Sequence, residues 1–327
     1  MSRLRKFIVP GEVYFITTSV ESTLAFPPNE LINTILLSCL ARAQELYPVI
    51  VCEFLISTTH VHFIIVARNP EDVCGFMCRF KTETAHALNR LLGYQKRTIW
   101  CQGYDSPMLY KDLDRAVEKV AYIYANPAKD NLVKSIDDYP GLSSWSAQKN
   151  PCAVIPRSRI KQLTSNNPSL EELAKYRAKL IRKARTGSFT LNPSAWMEVF
   201  GVTTKEDKTS LRQRVIKRVR ELEAEAEKLR IFEGKSVIGA KILISTPICA
   251  PYVPKRMGKR MYIICGCVEL RKTFLTNLKA QIGRANEVFK RWKVGDFSLP
   301  FPLGLFPPSM PRLATPLSVE AALSAAW

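Results

Sequence analysis

No stretch of this 327-residue chain approaches the run of about 18 uncharged apolar residues that a spanning helix needs, so a membrane partner is not expected. The opening Met1-Ser2-Arg3-Leu4-Arg5-Lys6 lacks an apolar signal region, and a cytoplasmic location is expected. The nine cysteines contain no C-x-x-C pair. That absence argues against the commonest zinc frameworks, and the odd number argues against a closed disulfide set. They read as reduced core thiols, with Cys265 and Cys267 in a buried strand. Histidine is scarce, at three residues, and acid is scarce in the second half. Residues 1–150 hold 16 Lys+Arg against 15 Asp+Glu, the remainder 32 against 14, so the net charge of +19 divides as +1 and +18. A polyanionic partner attracted by the second half is the physical implication.

The first 150 residues alternate strand-like and helix-like segments. Gly11 to Val20 alternates in the manner of a strand, and residues 29–47 place apolar side chains at three- and four-residue spacing. Val49 to Ser57 and His60 to Ala67 read as adjacent antiparallel strands around the short polar Thr58-Thr59. A helix over 71–92 ends at Gly93, a further strand includes Thr98 to Gln102, and a third helix starts near Asp112. Pro127 predicts that this helix stops at Asn126, because proline disfavours helical geometry in the residue before it. The order β-α-β-β-α-β-α implies a two-layer α+β sandwich with a largely antiparallel sheet. Pro151, Pro156 and Pro168 mark a linker over 151–168. Beyond it, 169–293 reads as a basic, mainly helical extension opened by the capping box Ser169-Leu170-Glu171-Glu172, and 294–327 as a Pro-rich tail.

His60 and His62 occupy positions i and i+2 of one predicted strand, so both imidazoles face one side. Alone, the pattern fits either a metal site or a satisfied histidine pair. His86 lies on a polar helix face and reads as a surface residue. On the third helix, Leu113, Val117, Val120 and Tyr124 form the core stripe, while Arg115, Lys119, Tyr122 and Asn126 form a second stripe opposite. Charges normally stand outside a helix, so that stripe can be a solvated face. An aromatic held between cations is less ordinary.

His60-Val61-His62 in an apolar strand, followed by Tyr122-Ile123-Tyr124-Ala125-Asn126-Pro127, resembles the REP-associated tyrosine transposases. Trp100, Tyr104-Asp105-Ser106-Pro107, Asn131-Leu132-Val133, Asp138-Tyr139-Pro140 and Ser143-Ser144-Trp145 follow that family's order, so the resemblance covers about residues 5 to 146. It implies a ferredoxin-like HUH nuclease domain over 1–150 with a central antiparallel sheet. It also implies a transposase that cleaves and rejoins single-stranded DNA, often at hairpin or inverted-repeat sites, and a nucleoid-associated location. By the same resemblance Tyr122 is the nucleophile that forms a 5′-phosphotyrosine, and His60, His62 and Asn126 hold Mg²⁺ or Mn²⁺. Arg115 and Lys119 would grip phosphate or favour the phenolate. Two departures stand out: Ser57-Thr58-Thr59 replaces the family's usual Met-Pro and polar residue, and the chain continues well past the matching region. The extension is expected to contact DNA backbone through Arg212, Arg214, Lys217 and Arg218. A domesticated, non-catalytic DNA-binding regulator is the alternative. An RNA-binding module explains the charge but not the histidines.

Overall fold

The computed structural model describes residues 6–21, 24–146, 151–156, 160–165, 168–248, 250–252 and 260–308. It is a mixed α+β structure around a five-stranded sheet of order β2-β3-β1-β4-β7. Its strands are β1 (Val13–Ser19), β2 (Ile50–Ile56), β3 (His60–Val66), β4 (Met108–Leu109) and β7 (Ile263–Ile264). The first four pair antiparallel and β7 joins β4 in parallel. The two apolar runs flanking Thr58-Thr59 do become the β2/β3 pair, and β3 is buried along almost its whole length. β1 lies on the other side of β3, in a register that sets Ser19 opposite His60 and Thr17 opposite His62.

Side chains alternate across β3. Phe63 packs edge-on against Phe76 and Phe80 of α2 (Pro70–Leu92), which itself packs on α1 (Glu30–Leu46). Ile64 and Val66, on the histidines' side of the strand, share a core with Val117, Val120, Ala121 and Tyr124 of α3 (Leu113–Lys129). Helices therefore cover both faces of the sheet, and the expected two-layer sandwich is corrected to a sheet enclosed between helical layers. Asn29 caps α1, Asn69 caps α2, and Gly93 ends α2 in the left-handed conformation that glycine accepts without a Cβ clash.

Two expected elements differ. Thr98 to Gln102 does not form a strand: Trp100 makes a single bridge to Val20, and its ring is held against Phe26 and Phe80. The helix expected to end at Asn126 runs on to Lys129 with Pro127 inside it. Its last carbonyls find partners, since Asp130 N donates to Asn126 O at 2.9 Å and Arg230 Nη1 donates to Ala128 O at 2.7 Å. Those bonds offset the local penalty that proline imposes on the residue before it.

The expected linker contains β5 (Cys152–Ile155), which pairs with β6 (Arg185–Ser188). α4 (Leu170–Ile181) opens with the capping box formed by Ser169 and Glu172. After α5 (Ala195–Val199) comes α6 (Lys205–Phe232), whose Leu211, Val215, Val219 and Leu222 complete the core around α3. α7 (Ala240–Ser245) follows, and Pro10–Cys265 forms one compact unit. The extension up to Cys265 thus shares a hydrophobic core with the first 150 residues. The described residues of Met1–Val9 and Gly266–Trp327 form a second unit containing α8 (Val268–Lys293). There Phe7 meets Phe274 edge-on at 5.7 Å and Ile8 N donates to Gly304 O at 2.8 Å. Cys265 is buried but Cys267 is an exposed N-cap of α8, so the two do not share a buried strand. Pro311 and Pro316 of the Pro-rich tail lie outside the described residues. Among those residues, no helix is long and apolar enough to cross a membrane.

Candidate active site

β3 carries both histidines to one end of the sheet, because i and i+2 on a strand share a face. Their ring centroids lie 4.6 Å apart. Each ring is oriented by a threonine: Thr17 Oγ1 lies 2.9 Å from His62 Nδ1, and Thr59 Oγ1 lies 3.1 Å from His60 Nδ1. Such bonds on Nδ1 direct each Nε2 outward, the arrangement typical of metal-binding imidazoles. Thr17 is supplied by the β1 register, and Thr59 by the loop between β2 and β3. His60 Nε2 also lies 4.0 Å from Asp130 Oδ2. Burial, then the neighbouring His60 and Lys119, holds the pKa of His62 well below the ordinary imidazole value, so its ring stays neutral and able to donate a lone pair.

α3 brings the other half. Tyr122 stands edge-on to His62 at 5.7 Å and to Phe15 at 6.4 Å, while Phe15 stacks on His62 at 5.2 Å. Lys119 Nζ lies 5.1 Å from the Tyr122 ring centroid and Lys129 Nζ 4.9 Å, so two ammonium groups stand over the aromatic ring. Burial, followed by repulsion from Lys129 and Arg115, lowers the pKa of Lys119. His62, Tyr122, Asn126 and Lys129 border a cavity of about 860 Å³. Within it two buried polar atoms, His62 Nε2 and Asn126 Oδ1, have no hydrogen-bond partner among the described residues. An unsatisfied buried acceptor costs on the order of 1 to 3 kcal/mol, so the pair is suited to receiving a ligand. A neutral imidazole nitrogen and an amide oxygen fit a divalent cation such as Mg²⁺ or Mn²⁺. Among the described residues, no group of three or more His, Cys, Asp or Glu side chains is arranged to hold a metal, so the fit relies on the amide.

The structure brings His60, His62, Tyr122 and Asn126 to one cavity, with Lys119 against the Tyr122 ring. Arg115 is exposed, and its charge acts on Lys119. The four extension residues are elsewhere. Arg212 pairs with the fully buried Glu53 at 2.8 Å, Arg214 pairs with Asp114, and Arg218 reaches Glu118 at 2.8 Å as well as Glu221 and Glu225. These guanidinium groups fasten α6 to α3 and β2. Lys217 is exposed. Tyr124 is wholly buried, with its hydroxyl donating to Glu53 and sharing a 2.7 Å bond with Ser144 Oγ.

Sequence reading missed Lys129 and Asp130. The signal was present: the stripe of Tyr122 and Asn126 continues at the same helical spacing to both residues, but only if the helix passes Pro127. It also missed the far wall of the cavity, which Ile238, Leu243, Thr246, Pro251 and Tyr252 of the extension supply. No local pattern marks that segment.

No protein-family model matches the chain, and no curated protein matches it. A solved structure described as "Structure of the REP associates tyrosine transposase bound to a REP hairpin" is similar at a TM-score of 0.37 and 21% identity, over 44% of this chain and 83% of that one.

Proposed function

We propose that the protein is a transposase-type endonuclease that cleaves and rejoins single-stranded DNA through a covalent bond to Tyr122. The β-α-β-β-α-β order of the first half and the neighbouring positions of β2, β3, β1 and β4 support a ferredoxin-like HUH nuclease fold. The observation that carries the reading is the convergence in one cavity of Tyr122, Lys129, and a His62 Nε2 and an Asn126 Oδ1 that have no hydrogen-bond partner among the described residues, with Lys119 also over the Tyr122 ring.

In the proposed step the phenolic oxygen of Tyr122 forms a bond to phosphorus while the bond from phosphorus to the 3′-oxygen breaks. The phenol loses its proton and the departing 3′-oxygen gains one, leaving a 5′-phosphotyrosine and a free 3′-hydroxyl. One phosphate ester replaces another, so rejoining by a 3′-hydroxyl needs no nucleotide cofactor. Lys119 and Lys129 place positive charge beside the phenol, which favours its phenolate and attracts the phosphate. His60, His62 and Asn126 would hold Mg²⁺ or Mn²⁺, which when bound would polarise a scissile phosphate. Phe15, stacked on His62 and edge-on to Tyr122, keeps the two rings in place. Hairpin or inverted-repeat DNA is the proposed partner and the cytoplasm, at the nucleoid, the proposed location.

Incubating the full-length protein with single-stranded oligonucleotides and Mn²⁺ should yield a denaturation-resistant adduct that mass spectrometry maps to Tyr122. Calorimetric titration with Mn²⁺ in the absence of DNA should show binding that His62→Ala abolishes. Oligonucleotide binding without any adduct would instead support the non-catalytic regulator.

A further inference from the structure

The cavity is larger than a metal ion and one phosphate require, and its walls differ in character. One side carries His60, His62, Tyr122, Asn126, Lys129 and Asp130. The other comes mainly from Ile238, Leu243, Thr246, Ala250, Pro251 and Tyr252, residues beyond α6 that are held at two points. At the near end, Ile238 N donates to Asn131 O at 2.9 Å and Gly239 N to Leu132 O at 2.8 Å, which fixes the segment to the loop leaving α3. At the far end, Tyr252 Oη donates to Val20 O at 2.6 Å, which fixes it beside the end of β1. Between these ties Leu243, Thr246 and Pro251 also line the cavity, and Phe26 does so from beyond the end of β1.

We propose that this strap forms a nucleobase subsite beside the scissile phosphate, with Tyr252 as its stacking platform. Beside the carboxylates Asp130 and Glu21, the cavity sets the cation Lys129 and the aromatic ring of Tyr252 within one space, which suits a ligand that joins an anionic group to a flat apolar one. Lys129 answers the first requirement and the Tyr252 ring, with Leu243 and Pro251, answers the second. A nucleotide of single-stranded DNA has both, and its base is unpaired and free to stack. Burial pushes the Tyr252 phenol up to about 12, so it remains a hydrogen-bond donor to Val20 and its ring is held before any ligand arrives. The extension in this view contributes recognition inside the active site. The inference rests on the single-strand reading given above.

The test uses the full-length chain in EDTA, where binding is read without cleavage by fluorescence anisotropy. Oligothymidylate is compared with an abasic oligomer of equal phosphate number. Wild type should prefer the base-bearing strand by on the order of tenfold or more. Tyr252→Leu and Tyr252→Ala should lose most of that preference while keeping the same dependence of affinity on salt, because the phosphate contacts remain. Tyr252→Phe should keep most of it. An unchanged preference in folded Tyr252→Leu, or no preference in wild type, overturns the subsite. Absence of a Tyr122 adduct alongside an intact, Tyr252-dependent base preference would overturn the nuclease reading and leave the subsite standing.

Discussion

Tyr122 and Tyr124 lie two residues apart on α3, about 160° around the helix, and removal of their hydroxyls should give opposite results. The Tyr124 ring is fully buried; its hydroxyl donates to Glu53 and bonds Ser144 Oγ, which in turn accepts from Phe54 N at 2.7 Å. Tyr124→Phe removes a hydrogen bond to a charged acceptor, a class that contributes about 1.5 to 3 kcal/mol, and leaves a buried carboxylate oxygen short of a donor. A loss of about 2 to 3 kcal/mol follows, and for a cooperative unit of this size that is roughly 4 to 12 °C in Tm. Tyr122 is half-buried at the cavity, and its ring packing on His62 and Phe15 survives in phenylalanine. Tyr122→Phe should therefore cost less than about 1 kcal/mol, keep Mn²⁺ binding and form no DNA adduct. Thermal and urea unfolding followed by circular dichroism, with adduct formation on the same samples, decides the matter. Equal destabilisation by the two substitutions, or an adduct retained in Tyr122→Phe, would refute the division of labour.

Two further outcomes follow from α6. Burial holds the Glu53 carboxyl above its ordinary value of 4.5, opposed chiefly by Arg212. Its stability contribution is therefore complete below that value and is lost as pH rises through the folded pKa, which Arg212→Met raises further. The variant should lose about 3 kcal/mol, the low end for breaking a buried pair because Arg212 is 34% exposed, with the deficit largest near pH 8 and shrinking toward pH 5. A pH-independent deficit in urea melts would contradict this. A chain ending at residue 150 should not fold cooperatively, because it strips Leu211, Val215, Val219 and Leu222 from α3 and leaves Glu53 without its cation. A sharp unfolding transition in that fragment would show that the shared core is dispensable.

Periodicity and local chemistry determined a good deal of this protein by themselves. The i, i+2 spacing of His60 and His62 on an apolar run set both rings on one strand face, and the helical wheel separated buried Tyr124 from Tyr122. The cap at Ser169 and the glycine end of α2 were likewise local, since each satisfies backbone groups within one turn. Only the tertiary structure decided what long-range contacts control. Pro127 stays inside α3 because Arg230, a hundred residues on, donates to its last turn, and that continuation brings Lys129 to Tyr122. The charge of Arg212, Arg214 and Arg218 is visible in the sequence, but their partners Glu53, Asp114 and Glu118 are not. Charge counts measure attraction to any anion and do not say which carboxylates of the same chain helix packing brings near. The wall at Tyr252 belongs to the same class: one hydrogen bond to Val20 places it, across a separation no sequence period spans.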